Sequence, residues 1–127
     1  MIGQPARAAR VFKTAWFSKA AKKARIPDSE LCIAIRQVML GQADDLGGGV
    51  YKKRLDKNRY RSIIVARGGR YWVYAYLFAK KDRANIDNDE LVGFRALAAV
   101  YSSKTDADIA LELESQKLLE ICHDDET

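Results

Sequence analysis

The chemistry-bearing residues of this chain are cations set on strand-like sequence. The stretch YKKRLDKNRYRSIIVARGGRYWVYAYLFAKKDR, residues 51–83, is dense in Lys and Arg and holds two acids, Asp56 and Asp82. Side chains alternate faces along a strand, so Lys52 and Arg54 share one face while Tyr51, Lys53 and Leu55 share the other. Tyr51 and Leu55 read as core anchors, which leaves Lys52 and Arg54 on an open face and puts Lys53 near an edge. Arg61, on the next strand, can sit near Arg54 across the short turn. Lys80, Lys81 and Arg83 leave a third strand just before a helix.

Such a group of cations is hard to tolerate unless an anion comes to it, and phosphodiester chemistry uses it well. A phosphorane-like transition state needs fixed positive charge where the non-bridging oxygens gain charge, and Arg offers forked donors there. A lysine crowded by like charges has its pKa lowered and becomes a possible general base without histidine. The proton to be taken is that of a ribose 2′-OH, the nucleophile already built into RNA. No metal and no cofactor is expected. The bland alternative is a solvated charged face that binds nucleic acid, or binds nothing.

Those cations need elements to hold them. RVFKTAW (10–16) reads as an opening strand and FSKAAKKA as a short helix. Pro27 breaks it, Asp28 or Ser29 can cap the next helix, and Leu31, Ile35, Val38 and Met39 recur at helical spacing before Gly41. The two helices are expected to form a hairpin. ADDLGGGV reads as a loop and lacks the Lys-Ser/Thr and helix that a phosphate-binding P-loop requires. Strands follow at about 49–55, 59–67 and 70–79, with Gly68-Gly69 suited to a two-residue turn, giving an antiparallel meander. Asp87 and Glu90 stand at capping-box spacing ahead of a helix whose Leu91, Phe94, Leu97, Ala98 and Tyr101 share a face. Thr105 and Asp108 repeat that relation for a last helix over about 105–122, with Ile109, Leu118 and Ile121 among its packing positions and HDDET as a frayed end. The expected class is α+β: a small antiparallel β-sheet with an N-terminal helical hairpin and C-terminal helices on one face, the other face carrying function.

Length and composition agree with one domain of 127 residues. There is no apolar run long enough for a transmembrane helix and no secretory leader pattern, so a cytoplasmic protein without membrane contact is expected. Cys32 and Cys122 are too few and too far apart for a disulfide framework or zinc site and read as reduced thiols, Cys32 in the core. Of 22 Lys and Arg and 17 Asp and Glu, residues 104–127 hold 2 and 8, which leaves 20 against 9 in residues 1–103. The basic body, 1–103, attracts polyanions, while the acidic segment, 104–127, is expected to pack on the same domain. An alternative has that segment lying against the basic face and damping RNA binding. His123, the single histidine, reads as a solvated terminal residue. Tyr60, Tyr74 and Tyr76 read first as core residues and second as base-stacking platforms.

LGGGVYKKRL, YRSIIVAR and FAKKDRANI…EL resemble the RelE/HigB-type toxins of bacterial type II toxin–antitoxin pairs, within the RelE/ParE superfamily. The resemblance runs over about residues 10–102 in element order and is motif-specific over 46–91. It implies a RelE-like α+β fold and a ribosome-dependent mRNA endoribonuclease (an mRNA interferase) that inhibits growth. It also implies two partners, a cognate antitoxin protein and mRNA on the ribosome. By this resemblance Lys52 is the candidate base, Arg61 and Lys81 stabilise the phosphate, and Arg54 shares that task or acts on the acid side. Lys53, Lys80 and Arg83 are expected to bind RNA. The chain departs from the pattern in its short DKNRYR turn, in Asp87 standing near the position of a family tyrosine, and in lacking HigB-like histidines. Two other readings stay open: a catalytically silent member that binds its antitoxin or operator DNA, and a gyrase-directed toxin of the ParE kind.

Overall fold

The computed structural model describes residues 9–66 and 70–123. The elements run β1 (Arg10–Thr14), α1 (Ala15–Lys23), α2 (Asp28–Met39), β2 (Asp44–Gly47), β3 (Val50–Leu55), β4 (Tyr60–Ala66), β5 (Tyr71–Ala79), α3 (Asn88–Ser103), α4 (Asp106–Glu114) and β6 (Leu118–Ile121). This is α+β content built on one six-stranded sheet in the order β2-β3-β4-β5-β1-β6. The β3–β4–β5 meander is antiparallel as expected. The sheet as a whole is mixed, because β1 lies parallel to β5. A strand that opens the chain and is followed by two helices can enter beside the last meander strand in either direction, and strand periodicity carries no information on which. The Gly68-Gly69 turn and the chain beyond His123 lie outside the described residues.

Helices cover both faces of the sheet, which corrects the expectation of an open face. Phe17 and Ala21 of α1 and Leu31, Ala34, Ile35 and Val38 of α2 pack with Leu55, Ile64, Tyr74 and Leu77. On the opposite side Ala98 and Tyr101 of α3 and Ile109 of α4 pack with Val50, Ile63, Val65 and Val73. The central strands are therefore buried on both sides, and the burial of five consecutive residues, Ser62–Ala66, is the signature of that arrangement. Met39, expected on the buried stripe of α2, is exposed.

Local chemistry explains most boundaries. The Thr14 hydroxyl accepts from the Phe17 amide at 3.0 Å, so the first helix begins two residues earlier than its Ala/Lys run suggests. Pro27, not Asp28 or Ser29, occupies the cap position of α2. Both capping boxes form, Asp87 with Glu90 and Thr105 with Asp108. ADDLGGGV is not a loop throughout, since Asp44–Gly47 is an edge strand that turns through Gly48 and Gly49 into β3. Those glycines are needed there: Gly49 has φ +85°, and a Cβ on it would meet the Ala66 carbonyl oxygen at 2.3 Å.

The last helix is shorter than its apolar positions imply. It ends at Glu114, Gln116 turns through φ 62°, and Leu118–Ile121 form a strand against the otherwise open edge of β1. Pairing satisfies that edge, and Arg10 clamps it with two hydrogen bonds to Glu120, at 2.9 and 2.8 Å. This brings Cys122 beside Cys32, 5.4 Å apart between Cα atoms, as a disulfide between α2 and the end of β6. The reading of two reduced thiols is corrected. Sequence separation says nothing about proximity once a terminal strand folds back into the sheet.

Candidate functional site

Register brings the expected strand cations together. Arg54 on β3 lies directly opposite Arg61 on β4, and Arg61 lies opposite Phe78 on β5. One step along, Lys52 lies opposite Ile63, which lies opposite Tyr76. Since Val50 and Ile63 belong to the α3 side of the core, Lys52, Arg54 and Arg61 are on that side too, as strand alternation predicts. Helix α3 leaves Arg54 exposed and Arg61 partly exposed because it rests on the other end of β3. Arg95 donates to the carbonyls of Leu46 (2.5 Å) and Gly47 (3.3 Å), and Ala98 sits 3.2 Å from where a Gly49 Cβ would be.

The three cations differ in freedom. Lys52 Nζ is 3.7 Å from a carboxylate oxygen of Asp44 on edge strand β2, and its side chain is mostly covered. Arg61 donates to the carbonyls of Asn58 (3.0 Å) and Tyr60 (3.4 Å), which orients the guanidinium, and it has no ion pair among the described residues. Arg54 is exposed and has no ion pair among the described residues. Two like charges directly opposite each other destabilise a strand pair. An anion shared by Arg54 and Arg61 relieves that repulsion.

The other expected residues fall in three different places. Lys53 points to the α1–α2 side, where Nζ donates to the Gln42 carbonyl at 2.9 Å. Burial, and then the charge of Arg54, push its amine pKa below the ordinary lysine value. Arg83 is committed within the protein: its guanidinium bridges both Glu90 carboxylate oxygens at 3.1 and 2.5 Å and reaches the Tyr76 hydroxyl at 3.3 Å. That guanidinium, with the Asp87 amide, holds the Glu90 carboxyl below its usual range. Lys80 and Lys81 line a separate cleft of about 690 Å³ with Lys57, Arg59 and Tyr60, walled on one side by Ala24 at the end of α1. His123 is exposed.

Some neighbours of the site carry no legible sequence signal. Trp16, half exposed in the first turn of α1, stacks on Tyr76 with ring centroids 5.1 Å apart at 29°. Tyr76 also meets Phe94 of α3 at 5.9 Å. This places an open aromatic face in line with Lys52 across the sheet. Asp44 and Glu90, the acids that temper Lys52 and Arg83, become neighbours only through strand register and the docking of α3. Tyr74 is unavailable for stacking, being fully buried with its hydroxyl donating to the Leu31 carbonyl at 2.7 Å. Asp106, Glu112 and Glu120 of the C-terminal segment pair with Arg10, Arg70 and Lys104, at the β1 and α3–α4 end of the molecule, and among the described residues no acid of that segment pairs with Lys52, Arg54 or Arg61.

A family model for the RelE toxin of the RelE/RelB toxin–antitoxin system matches residues 9–121, nearly the whole described chain. The chain belongs to the RelE toxin family. No curated protein matches it. The match reaches through β6, beyond the motif region at 46–91. RelE membership implies an antitoxin as partner. Among the described residues no helix is long and apolar enough to cross a membrane.

Proposed function

We propose that this RelE toxin is an mRNA endoribonuclease that acts on translating ribosomes, with Lys52, Arg54 and Arg61 around the scissile phosphate. The observation that carries the reading is the direct cross-strand pairing of Arg54 with Arg61, two cations held opposite each other with Lys52 two residues away on the same face. The ribose 2′-oxygen attacks the adjacent phosphorus as Lys52 takes the 2′-OH proton. The bond from phosphorus to the 5′-oxygen breaks, leaving a 2′,3′-cyclic phosphate and a 5′-hydroxyl. Arg54 and Arg61 supply donors to the non-bridging oxygens, and one of them, or water, protonates the departing oxygen. No metal or cofactor enters this sequence of steps.

Trp16 stacked on Tyr76 offers a base platform beside the reacting phosphate, taking the place of the family tyrosine that Asp87 does not supply. Lys53, Lys80 and Lys81, on the other side of β4, add positive potential around the strand cations. Arg83, tied to Glu90, shapes the wall over Phe78 and contributes less charge than the sequence suggests. A ribosomal substrate puts the toxin in the cytoplasm, where the Cys32–Cys122 bond meets a reducing pool.

Mapping mRNA 5′ ends by primer extension in a bacterial translation extract tests the reading. New ends that depend on both the toxin and ribosomes, and that vanish when the purified antitoxin is added, are expected. Folded wild-type protein that produces no new ends would leave a binding-only toxin or another target such as gyrase.

A further inference from the structure

The cleft holding Lys80 and Lys81 is on the opposite side of the sheet from Lys52, Arg54 and Arg61. Tyr60, in its wall, packs against the α1–α2 core, whereas its neighbour Arg61 faces the α3 side. The two sites are back to back across β4, separated at the rim by the turn Asp56–Arg59.

Elsewhere in the molecule Arg10 pairs with Glu120, Lys13 with Asp28, Arg70 with Asp106, Arg83 with Glu90 and Lys104 with Glu112, while other cations, Lys19 and Lys117 among them, have no ion pair among the described residues. In the cleft Arg59 pairs with Asp56 at 3.5 Å. Lys57, Lys80 and Lys81 have no ion pair among the described residues and converge on one concavity of about 690 Å³. That volume suits a ligand of nucleotide size.

The walls are fixed in advance. Asp56, Lys57 and Asn58 all have left-handed backbone, with φ 52°, 53° and 72°. Non-glycine residues stay in that region only where the surroundings over-determine them. Here the Asp56 amide donates to the Glu30 carboxylate, the Arg59 amide to the Asp56 carbonyl at 3.0 Å, and Arg61 to the Asn58 carbonyl at 3.0 Å. The Lys80 amide donates to the Arg59 carbonyl at 2.8 Å, which fastens the β5 wall to the turn. Unpaired lysines on a rigid frame beside a half-buried tyrosine ring match a phosphodiester with its base, since Lys grips phosphate as a point charge and the ring offers a stacking face.

We propose that this cleft is a second RNA subsite, which holds a backbone phosphate among Lys57, Lys80 and Lys81 and a base against Tyr60. It rests on the RNA reading above and extends it: one strand bends round the β3–β4 turn, with the scissile phosphate on one face and the next contact on the other.

The test uses a fluorescein-labelled hexaribonucleotide with every 2′-oxygen methylated, which cannot undergo 2′-OH attack, so binding is read apart from cleavage. Anisotropy over a salt series compares wild type, the double variant Lys57→Ala/Lys80→Ala and a control of equal charge change, Lys19→Ala/Lys117→Ala. The cleft pair is expected to lose affinity about tenfold and to flatten the salt slope by about one unit, while the control changes affinity less than about twofold. Tyr60→Leu, which keeps an apolar side chain against the core, is expected to weaken binding about fivefold with the slope unchanged. A cleft pair that behaves like the control overturns the subsite, and so does equimolar displacement of the probe by a Glu-rich hexapeptide. Wild type that cleaves mRNA while the cleft pair matches the control sinks the subsite alone. A cleft pair that loses binding in a toxin that leaves mRNA intact upholds the subsite and sinks the cleavage reading.

Discussion

Arg54 and Arg61 are opposed across two strands, one free in solvent and the other aimed by backbone carbonyls, while Lys52 is tethered loosely to Asp44. On the proposed chemistry, replacing either arginine with Ala removes a donor to the charge that develops at phosphorus. Each change is expected to lower cleavage by about 100- to 1,000-fold with an unchanged circular dichroism spectrum. Asp44→Asn frees Lys52 and is expected to tighten RNA binding by about two- to fivefold at low salt, an advantage that shrinks as salt rises. An affinity no different from wild type at low salt would contradict that role for Asp44. At this scale strand alternation made much legible: it sorted Lys52 and Arg54 from Lys53 and Tyr51, and the short turn placed Arg61 beside Arg54. It did not show that Arg83 is neutralised by Glu90, or that Lys80 and Lys81 open on the other side of β4. Those facts depend on how α3 and the β3–β4 turn dock, and a single strand's period carries no such information.

Helices and strands were readable where local chemistry decides them and obscure where distant partners do. Both capping boxes were visible as spacings, and Asp87→Ala is expected to cost about 1 kcal/mol in chemical denaturation. Edge strand β2 reads as loop in the sequence because it has hardly any apolar pattern, with burial only partial along DDLG. Gly49→Ala is expected to destabilise the fold by more than about 1 kcal/mol, since the residue needs positive φ and abuts the Ala66 carbonyl. Strand β6 was hidden inside an apolar run that fits a helix equally well, and only the edge of β1 selects the strand. The disulfide that follows from β6 closes a long loop, so Cys122→Ser is expected to lower stability under oxidising conditions by about 2–4 kcal/mol. Wild type and Cys122→Ser should melt alike once a dithiol reductant is present.

For the whole molecule, charge is arranged by region. Within the acidic C-terminal segment Asp106, Glu112 and Glu120 pair with Arg10, Arg70 and Lys104, away from the strand cations, and so help to close the sheet. The hydrogen bond to Arg10 holds Glu120 below its ordinary value of 4.5. Its contribution to stability is therefore complete above that value and is lost as pH falls through the lower folded pKa. A melting series should show stability declining below about pH 4.5 in wild type, with Glu120→Gln less stable at pH 7 and less sensitive to acid. Equal acid sensitivity of the two proteins would contradict the Arg10–Glu120 clamp.

The central claim is that the RNA's own 2′-hydroxyl is the nucleophile and that the face of Lys52, Arg54 and Arg61 serves it. The most direct measurement places a single 2′-deoxynucleotide 5′ to a mapped cleavage position in a message programmed into ribosomes. The account predicts that cleavage disappears at that position alone, and that the unsubstituted message yields a 2′,3′-cyclic phosphate with a 5′-hydroxyl. Continued cleavage at the deoxy position, with a 5′-phosphate on the product, would contradict it.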